Sequence, residues 1–414
     1  MKKLIPSACV PISLEDIKQV LLFLFFQNRS ESRIKFHSII TNLTGFKYVR
    51  TFQSGYLALY FILQRIKETK KSGRVLVPVY TCPSVHYAVL NAGHTPVYVD
   101  ADLENFNCSV ESYKVLITPD TKVIIVCHLF GCLSVQIDEL RLALGEMGRE
   151  DIVIIEDMCQ SLGNVNEMRQ NTDQYADFGI LSFGRAKMIS TGNGGALLSF
   201  NRNLLSDVRE LSQESIISNI QLFLKICAYA ILIQPVVYNF AHRILGYKRS
   251  MDPYNLNDYR RINHDDLRQL CSLQVCLGLI MLNKLDSFNA KRKLNSRFYL
   301  GYFNNKSNYL VQPNTNNFYL RFAVIFRENM DVLYVQNYLN RNGIDTSTMN
   351  YPLLSEIVDY KAENNSKYFE NASNIASNIL TFPTHPNVDM SLFKEVFDDL
   401  LIVLERNSKS NNAS

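Results

Sequence analysis

The sequence has little net charge, no persistent basic stripe and no pair of cysteines at zinc-ribbon spacing. The 414-residue chain contains 43 Lys and Arg residues and 39 Asp and Glu residues, so its formal net charge is only +4. Nucleic-acid-binding proteins usually carry a basic face, and we therefore expect no nucleic-acid partner. The 47% apolar and 20% charged residues are typical of a globular chain with a sizeable core.

The cysteines are odd in number, which argues against a disulfide framework. Nine are present, and most of them lie inside apolar runs. Buried, reduced thiols of this kind are typical of cytoplasmic proteins, whereas secreted domains usually pair their cysteines. We therefore expect a cytoplasmic protein without disulfides or a metal site.

Two apolar runs need an interpretation. The run VLLFLFF (20–26) ends in QNRSES, and it predicts the apolar end of a buried helix rather than a signal peptide. The second run, QLFLKICAYAILIQPVVYNF (221–240), approaches the ~20 residues that span a bilayer, but Lys225, Gln234 and Pro235 interrupt it. It predicts a buried or interface helix, and the alternative is a helix lying on a membrane surface.

Between Tyr48 and Phe200, short β-branched runs alternate with amphipathic helical patterns. This alternation predicts βαβ units and a mostly parallel sheet, and the near-continuous apolar strands indicate helices on both faces. The strands are predicted at 74–80, 95–100, 122–130, 151–157, 178–183 and 194–200, with helices at 54–67, 82–93 and 135–148.

After Phe200 the pattern becomes mainly helical up to residue 295, and a smaller α+β part follows. A strand is predicted at 318–326, and helices at 283–303, 331–344 and 387–406, with Gly343 stopping the second of these. We therefore predict a large α/β domain (1–260) with an apolar helical insertion near 205–262, a small C-terminal α+β domain (261–406) and a disordered tail (407–414).

A predicted helix begins within Gln53-Ser54-Gly55-Tyr56. The first N–H groups of a helix lack intrahelical acceptors, and together with a serine hydroxyl they form an anion site. The anion here would be a cofactor phosphate. The alternative is that Ser54 simply caps the helix.

Two further segments place ionisable side chains just beyond strands. Asp157 ends the run 151–157, at the sheet edge where ligands of open α/β folds bind, and could pair with a pyridinium nitrogen or merely cap a helix. Lys187 follows the run 178–183, where a lysine among apolar neighbours can act as a Schiff-base nucleophile or remain a solvated surface lysine. Ser182 could add a phosphate contact.

The glycine-rich segment TGNGGA (191–196) must let the backbone turn sharply or approach another group closely. Its spacing is not the G-x-G-x-x-G of dinucleotide-binding folds, and a tight hairpin turn alone would also account for it. Each of the four segments is a weak signal by itself, but their order along the chain is distinctive.

The chain resembles the DegT/DnrJ-type sugar aminotransferases, which are fold type I enzymes dependent on pyridoxal 5'-phosphate (PLP). IIEDMCQSLG (154–163) is similar to the family's EDAAQAxG, and DFGILSFGRAKMISTGNGGAL (177–197) to its S-F-x-x-x-K and G-E-G-G-A blocks. SGYLAL (54–59), HLFG (128–131) and LTFPTHP (380–386) match further blocks, so the resemblance covers nearly the whole length.

This resemblance implies a seven-stranded-type sheet, a homodimer, and transfer of an amino group, commonly from glutamate, to a nucleotide-linked keto-sugar for polysaccharide or glycoconjugate synthesis. Lys187 would hold PLP as a Schiff base and shuttle a proton. The other implied cofactor contacts are Asp157 at the pyridine nitrogen, Gln160 at the phenolic oxygen, and Ser54, Gly55, Tyr56 and Ser182 at the phosphate.

Several positions depart from the family pattern. Cys82 stands where many relatives place an aromatic that stacks on the cofactor ring, and Tyr56 replaces a threonine, so that only its backbone contact carries over. Asn193 replaces a glutamate. The family's N-x-R-M-x-x-L-Q block is reduced to LRQLCSLQ (267–274), which leaves the phosphate contact from a partner subunit open.

Alternative functions remain at this point. Relatives that remove a sugar hydroxyl carry histidine in place of the lysine, so Lys187 favours amino transfer. A non-catalytic or regulatory protein on the same fold is the second alternative, and a protein associated with a membrane surface through 221–240 is the third. Arg321 and His385 are candidate sugar contacts, although each could be structural.

Overall fold

The computed structural model describes most of the chain, in twelve segments. These are residues 3–26, 29–133, 137–164, 176–205, 216–244, 262, 267–303, 309–313, 318–326, 331–349, 353–354 and 369–411. The strands are β1 Tyr48–Phe52, β2 Arg74–Pro78, β3 Thr95–Val99, β4 Thr121–Cys127, β5 Val153–Asp157, β6 Phe178–Ser182, β7 Gly195–Ser199, β8 Tyr309–Val311, β9 Arg321–Phe326 and β10 Ile379–Pro383.

Helices cover these strands and connect them. They are α1 Leu14–Phe26, α2 Arg29–Thr44, α3 Gly55–Lys70, α4 Pro83–Asn91, α5 Val110–Lys114, α6 Ile137–Glu146, α7 Ile216–Leu232, α8 Pro235–Ile244, α9 Ser272–Phe303, α10 Val332–Arg341, α11 Glu370–Asn378 and α12 Met390–Asn411.

Seven strands form one sheet in the order β1-β7-β6-β5-β4-β2-β3. Strand β7 is antiparallel to both of its neighbours, and the other strand pairs of the sheet are parallel. The parallel strands therefore end at one edge of the sheet, where ligand sites of open α/β folds lie.

Both faces of the large sheet are buried. In β4, Val123 and Ile125 pack into one apolar core, whereas Ile124 and Val126 pack into another on the opposite face. Successive side chains of a strand point to opposite faces, so an unbroken apolar run is what a doubly covered strand needs.

A second, smaller sheet has the antiparallel order β10-β9-β8 and its own aromatic core. Helix α9 joins the two parts of the structure: Leu273 and Leu285 belong to a core of the large sheet, whereas Tyr299 and Phe303 belong to the core of the small sheet. Ile5 bridges Ile344, so the start of the chain also packs on the small sheet.

The α/β fold class predicted from the sequence is confirmed, and all six strands predicted before residue 200 are present. Strand β1 was missed because its sequence, YVRTF, is short and polar, and only its last two residues are buried. The helix predicted to end at Gly343 ends at Arg341, and Gly343 has a φ of +94°.

The structure differs from the sequence predictions in the burial of α1 and in the length of α12. In α1, Val20 and Phe23 are buried but Leu21 and Leu22 are 42% and 47% exposed, so that helix is amphipathic. Helix α12 extends to Asn411, into the predicted disordered tail. The helical content predicted at 206–215, 245–261 and 263–266 lies outside the described residues, and the domain boundary near 260 remains a prediction.

Candidate active site

A cavity of about 1490 Å³ lies at the carboxyl ends of β2, β4, β5 and β6. It brings together residues from several separate segments, including those that follow strand ends, as the strand-end argument predicts. All eight site residues predicted from the sequence line it: Ser54, Gly55, Tyr56, Cys82, Asp157, Gln160, Ser182 and Lys187.

The start of α3 forms part of the cavity lining. Ser54 caps the helix, since its hydroxyl accepts a hydrogen bond from Leu57 N–H at 3.1 Å. Gly55 lies so close to β6 that an added Cβ would be 3.1 Å from Leu181 O and 3.2 Å from Ser182 Cβ. The first turn of α3 therefore offers N–H donors to an anion directly beside the Ser182 hydroxyl.

The glycine segment lies against the same helix start. A Cβ on Gly195 would be 2.3 Å from Gly55 N, and Gly192 has a φ of +84°. Gly195 thus permits close approach and Gly192 permits a left-handed turn. Both conformational roles considered from the sequence occur, at different residues.

Asp157 and Gln160 are oriented by the backbone. The Asp157 Oδ1 atom accepts a hydrogen bond from Cys159 N–H at 3.0 Å. Gln160 is buried, and its Oε1 accepts from Phe130 N–H at 2.9 Å. With the carbonyl oxygen engaged, the amide N–H₂ is the part of Gln160 that can donate to a ligand.

Lys187 is half-buried on the loop between β6 and β7. The loop is closed by two backbone hydrogen bonds, Phe183 N–H to Gly194 O at 2.8 Å and Thr191 N–H to Phe183 O at 3.0 Å. The next residue, Met188, is buried, and its carbonyl accepts a hydrogen bond from the buried Arg292. The backbone on either side of Lys187 is therefore fixed.

Two thiols lie close to Asp157 in this cavity. Burial and the Asp157 carboxylate raise the pKa of Cys127 and Cys159 well above the ordinary thiol value. Both thiols therefore stay protonated at neutral pH, and protonated thiols are poor nucleophiles. Lys187, whose charge lowers the pKa of Cys159 to a smaller extent, thus has no thiolate competitor from these two residues.

The sequence model of the DegT/DnrJ/EryC1/StrS aminotransferase family matches residues 13–252 and 266–401. The chain belongs to this family. The family resemblance predicted from the sequence motifs is confirmed.

Curated relatives match over part of their length. Protein MosB of Rhizobium meliloti is 32% identical over 167 residues, which cover 40% of this chain and 32% of the relative. GDP-perosamine synthase of Caulobacter vibrioides is 29% identical over 178 residues, or 43% of this chain and 46% of the relative. The matched segments thus span less than half of either relative.

Solved structures of sugar-modifying enzymes share the fold over nearly the whole chain. PseC of Helicobacter pylori, described as an aminotransferase of pseudaminic acid biosynthesis, has a TM-score of 0.73 at 17% identity and covers 98% of this chain and 100% of its own. The Escherichia coli GDP-4-keto-6-deoxy-D-mannose-3-dehydratase, described with bound hydrated PLP, has a TM-score of 0.68 at 21% identity, covering 96% and 98%.

The structure gives hydrogen-bond partners for the residues that depart from the family pattern. The Tyr56 hydroxyl lies 2.7 Å from Asn91 Nδ2, which donates to it, so the Tyr56 side chain is held by α4. Cys82 precedes α4, and its Sγ accepts from the Ser84 hydroxyl at 3.1 Å. Gln274, from the reduced block, donates to Asn193 O at 2.8 Å. That block therefore contacts the glycine segment of its own chain.

Other cavity residues were not assigned a role from the sequence. His128 Nε2 lies 2.9 Å from Glu156 Oε1, and both side chains are almost fully buried. The sequence motifs HLFG and IIEDMCQ contain His128 and Glu156 and could have pointed to this pair. Helix α7 lines the cavity through Leu222, Lys225 and Tyr229, which local patterns could not reveal because the contact joins distant segments.

Arg321 and His385, considered as sugar contacts, are not among the residues that line this cavity. His385 is buried, and its Nε2 donates to Pro6 O at 2.8 Å. Burial lowers the pKa of His385 from 6.5 to about 4. We therefore assign His385 a structural role at the start of the chain.

The acid stability of the protein should depend on His385. Between pH 6.5 and about 4 the unfolded histidine binds a proton that the folded one does not, so its contribution to stability is lost as the pH falls through this window. Replacing His385 by Gln should reduce the loss of unfolding free energy between pH 6.5 and 4 by roughly 3 kcal/mol at most. Urea unfolding of both proteins at the two pH values measures this, and an unchanged pH dependence would contradict it.

Proposed function

We propose that the protein is a PLP-dependent aminotransferase that transfers an amino group to a nucleotide-linked keto-sugar. The observation that carries the proposal is the convergence of Lys187, Asp157, Gln160 and the start of α3 on one cavity. Family membership and the shared fold support it.

The residues of the cavity fit this cofactor. A phosphate needs N–H and hydroxyl donors at a helix start, and Gly55 and Ser182 provide them side by side. The close contact of Gly55 with Leu181 O and Ser182 Cβ means that a side chain at position 55 would fill this cradle. Asp157 supplies a carboxylate within the same cavity, and Lys187 supplies an amine.

Each side chain then has a defined task. Lys187 would be the covalent attachment point, and its Nζ would accept and return the proton at the reacting carbon. Asp157 would hold a proton on the ring nitrogen, and Gln160 would donate its N–H₂ to the ring oxygen. When bound, PLP supplies a ring that takes up the electrons of a carbanion. Protonated Cys127 and Cys159 would leave the amine of Lys187 as the nucleophile.

The substrate class is proposed from the relatives and from Lys187. Two relatives carry the names GDP-perosamine synthase and UDP-N-acetyl-3-dehydro-alpha-D-glucosamine 3-aminotransferase. We propose glutamate as the amino donor and polysaccharide or glycoconjugate synthesis as the use of the product. The lysine at position 187 favours amino transfer over dehydration, which the sequence resemblance associates with histidine there.

We also propose a homodimer in the cytoplasm. The homodimer rests on the family resemblance. All nine cysteines lie in the described part of the chain and form no disulfide with one another, which suits a reducing compartment.

Two half-reactions test the proposed function. Purified protein loaded with PLP should be yellow and should lose its visible absorbance when glutamate is added, because the cofactor then holds the amino group. A panel of GDP- and UDP-linked keto-sugars should restore the colour for the true substrate class. A colourless protein that does not bind added PLP would contradict the proposal and favour a non-catalytic role. Bleaching without recovery on any nucleotide sugar would overturn the substrate class alone.

A further inference from the structure

Helices α7 and α8 form a bent pair that exposes many large apolar side chains. The two helix axes make an angle of 97°. Along the pair, Ile217 is 69% exposed, Leu224 is 60% exposed and Phe240 is 60% exposed. Soluble surfaces seldom cluster apolar side chains in this way unless the cluster binds something. The other exposed members are Ile220, Ile231, Leu232 and Ile244.

The opposite side of α7 already has a structural role. Ile226 and Ala230 are buried in a core of the large sheet, and Leu222 and Tyr229 line the cavity. Within the part of the chain that the structure describes, the exposed Ile217, Ile220, Leu224 and Ile231 therefore lie on a side of α7 that faces neither this core nor the cavity.

The surrounding charge is of one sign. From Ser215 to Met251 the sequence contains no aspartate or glutamate, but it contains Lys225, Arg243, Lys248 and Arg249. Lys225 and Arg243 are exposed on the helix pair itself. An apolar face edged by cations is complementary to an anionic lipid surface, whose headgroups attract nearby lysine and arginine.

The length of the helices favours a position in the plane of the membrane surface. Among the described residues, no single helix is long and apolar enough to cross a bilayer. In the same part of the chain, only α7 and α8 taken together have the length and apolar composition of a membrane span. A pair bent by 97° cannot present one straight span.

A second copy of the chain suits this face less well. A two-fold interface brings the same patch of both subunits together, so the cations Lys225 and Arg243 of both copies would enter one interface to which this segment contributes no acidic residue. Like charges brought together in an interface are costly. An anionic bilayer removes this conflict.

We propose that α7 and α8 lie on an anionic lipid bilayer, with their exposed apolar side chains in the headgroup region and Lys225 and Arg243 at its charged surface. This inference does not depend on the proposed aminotransferase activity, because Ile220, Leu224, Phe240 and Arg243 do not line the cavity, although Lys225 does.

Flotation of the full-length, PLP-loaded protein with vesicles tests the apolar part of the proposal. Wild-type protein should float with phosphatidylcholine vesicles that contain phosphatidylglycerol. Replacing Ile220, Leu224 and Phe240 together by Ser should lower the partition coefficient by about tenfold or more. The matched control replaces three apolar residues of similar exposure elsewhere, Leu142, Leu294 and Leu333, by Ser and should float like the wild type.

The charge requirement is tested separately. Binding should be weaker to pure phosphatidylcholine vesicles and should fall with added salt. Arg243→Gln, at a residue outside the cavity, should weaken binding by about fivefold, and adding Lys225→Gln, at a residue that also lines the cavity, should weaken it by about fivefold more. The pair Lys291→Gln with Lys394→Gln should not weaken binding.

Three results would overturn the proposal. The first is a wild-type protein that does not float with anionic vesicles. The second is equal loss of flotation in the apolar variant and in its matched control. The third is an apolar variant that still floats but changes from dimer to monomer in light scattering, which would assign the face to a second copy of the chain. Unchanged thermal unfolding of each variant shows that the fold is intact, since all substituted side chains are exposed.

Discussion

Replacing Lys187 by Ala is expected to abolish covalent attachment of PLP and to lower kcat of amino transfer by about 10³-fold or more. The substitution removes the nucleophile and the proton carrier together. Borohydride reduction followed by peptide mass spectrometry should show a cofactor adduct on the peptide that contains Lys187 in the wild type and none in the variant. The loop is anchored through Phe183, Thr191 and Met188, so the variant should fold normally.

Lys187→Arg separates chemistry from charge. Arginine keeps the positive charge but stays protonated and cannot act as a nucleophile here, so it should be as inactive as the alanine variant. Lys291→Ala, at an exposed lysine of α9, should remain fully active. Retained activity in Lys187→Arg would show an electrostatic role, and a wild-type adduct on another lysine would refute the assignment of Lys187.

Gly195→Ala is expected to destabilise the protein by about 3 kcal/mol or more. The new Cβ would lie 2.3 Å from Gly55 N and 2.5 Å from Ser54 C, which are backbone atoms and not the ends of flexible side chains. Strand β7 cannot move aside easily because Gly195 pairs with Phe52 on one side and with Ser182 on the other. Any shift that relieves the clash displaces the helix start at Gly55, so PLP should also bind more weakly.

Urea unfolding measures the loss in stability, and PLP titration measures the loss in affinity. Gly301→Ala is the matched control: it lies in α9, where an added Cβ meets nothing within 4 Å. That substitution should stabilise the protein by about 0.5–1 kcal/mol, because Ala loses less conformational freedom in a helix than Gly does. Equal stability of Gly195→Ala and wild type would show that β7 and α3 are less tightly packed than the structure indicates.

The sequence predicted the central strands well because burial on both faces makes them continuous apolar runs. KVIIVC becomes β4 almost as predicted, whereas YVRTF at the edge of the sheet carried no such signal. The strand-end argument pointed to Asp157, Lys187 and Ser182, because parallel strands end at one edge of the sheet. The family resemblance supplied Gln160, Tyr56 and Cys82, which line the same cavity. Their neighbours could not be foreseen where the contact is non-local, as between Gln274 and Asn193.

The sequence also left two interpretations of Ser54 open, a helix cap and an anion site, and the structure shows the cap while the anion site stays a prediction. The Ser54 hydroxyl caps α3, and the same helix start lies on the cavity. For Tyr56, the resemblance implied only a backbone contact, which stays a prediction; the Tyr56 hydroxyl accepts a hydrogen bond from Asn91. For α7, no periodicity could indicate that one helix serves the cavity on one side and carries exposed apolar residues on the other.

The double role of α7 has a thermodynamic consequence. Leu222 and Tyr229 line the cavity, while Leu224 of the same helix is exposed. Binding that orders α7 on one side therefore changes the free energy of binding on the other side. Coupling between two binding equilibria is reciprocal. On this basis, any factor by which a bilayer tightens ligand binding in the cavity must equal the factor by which the ligand tightens attachment to the bilayer.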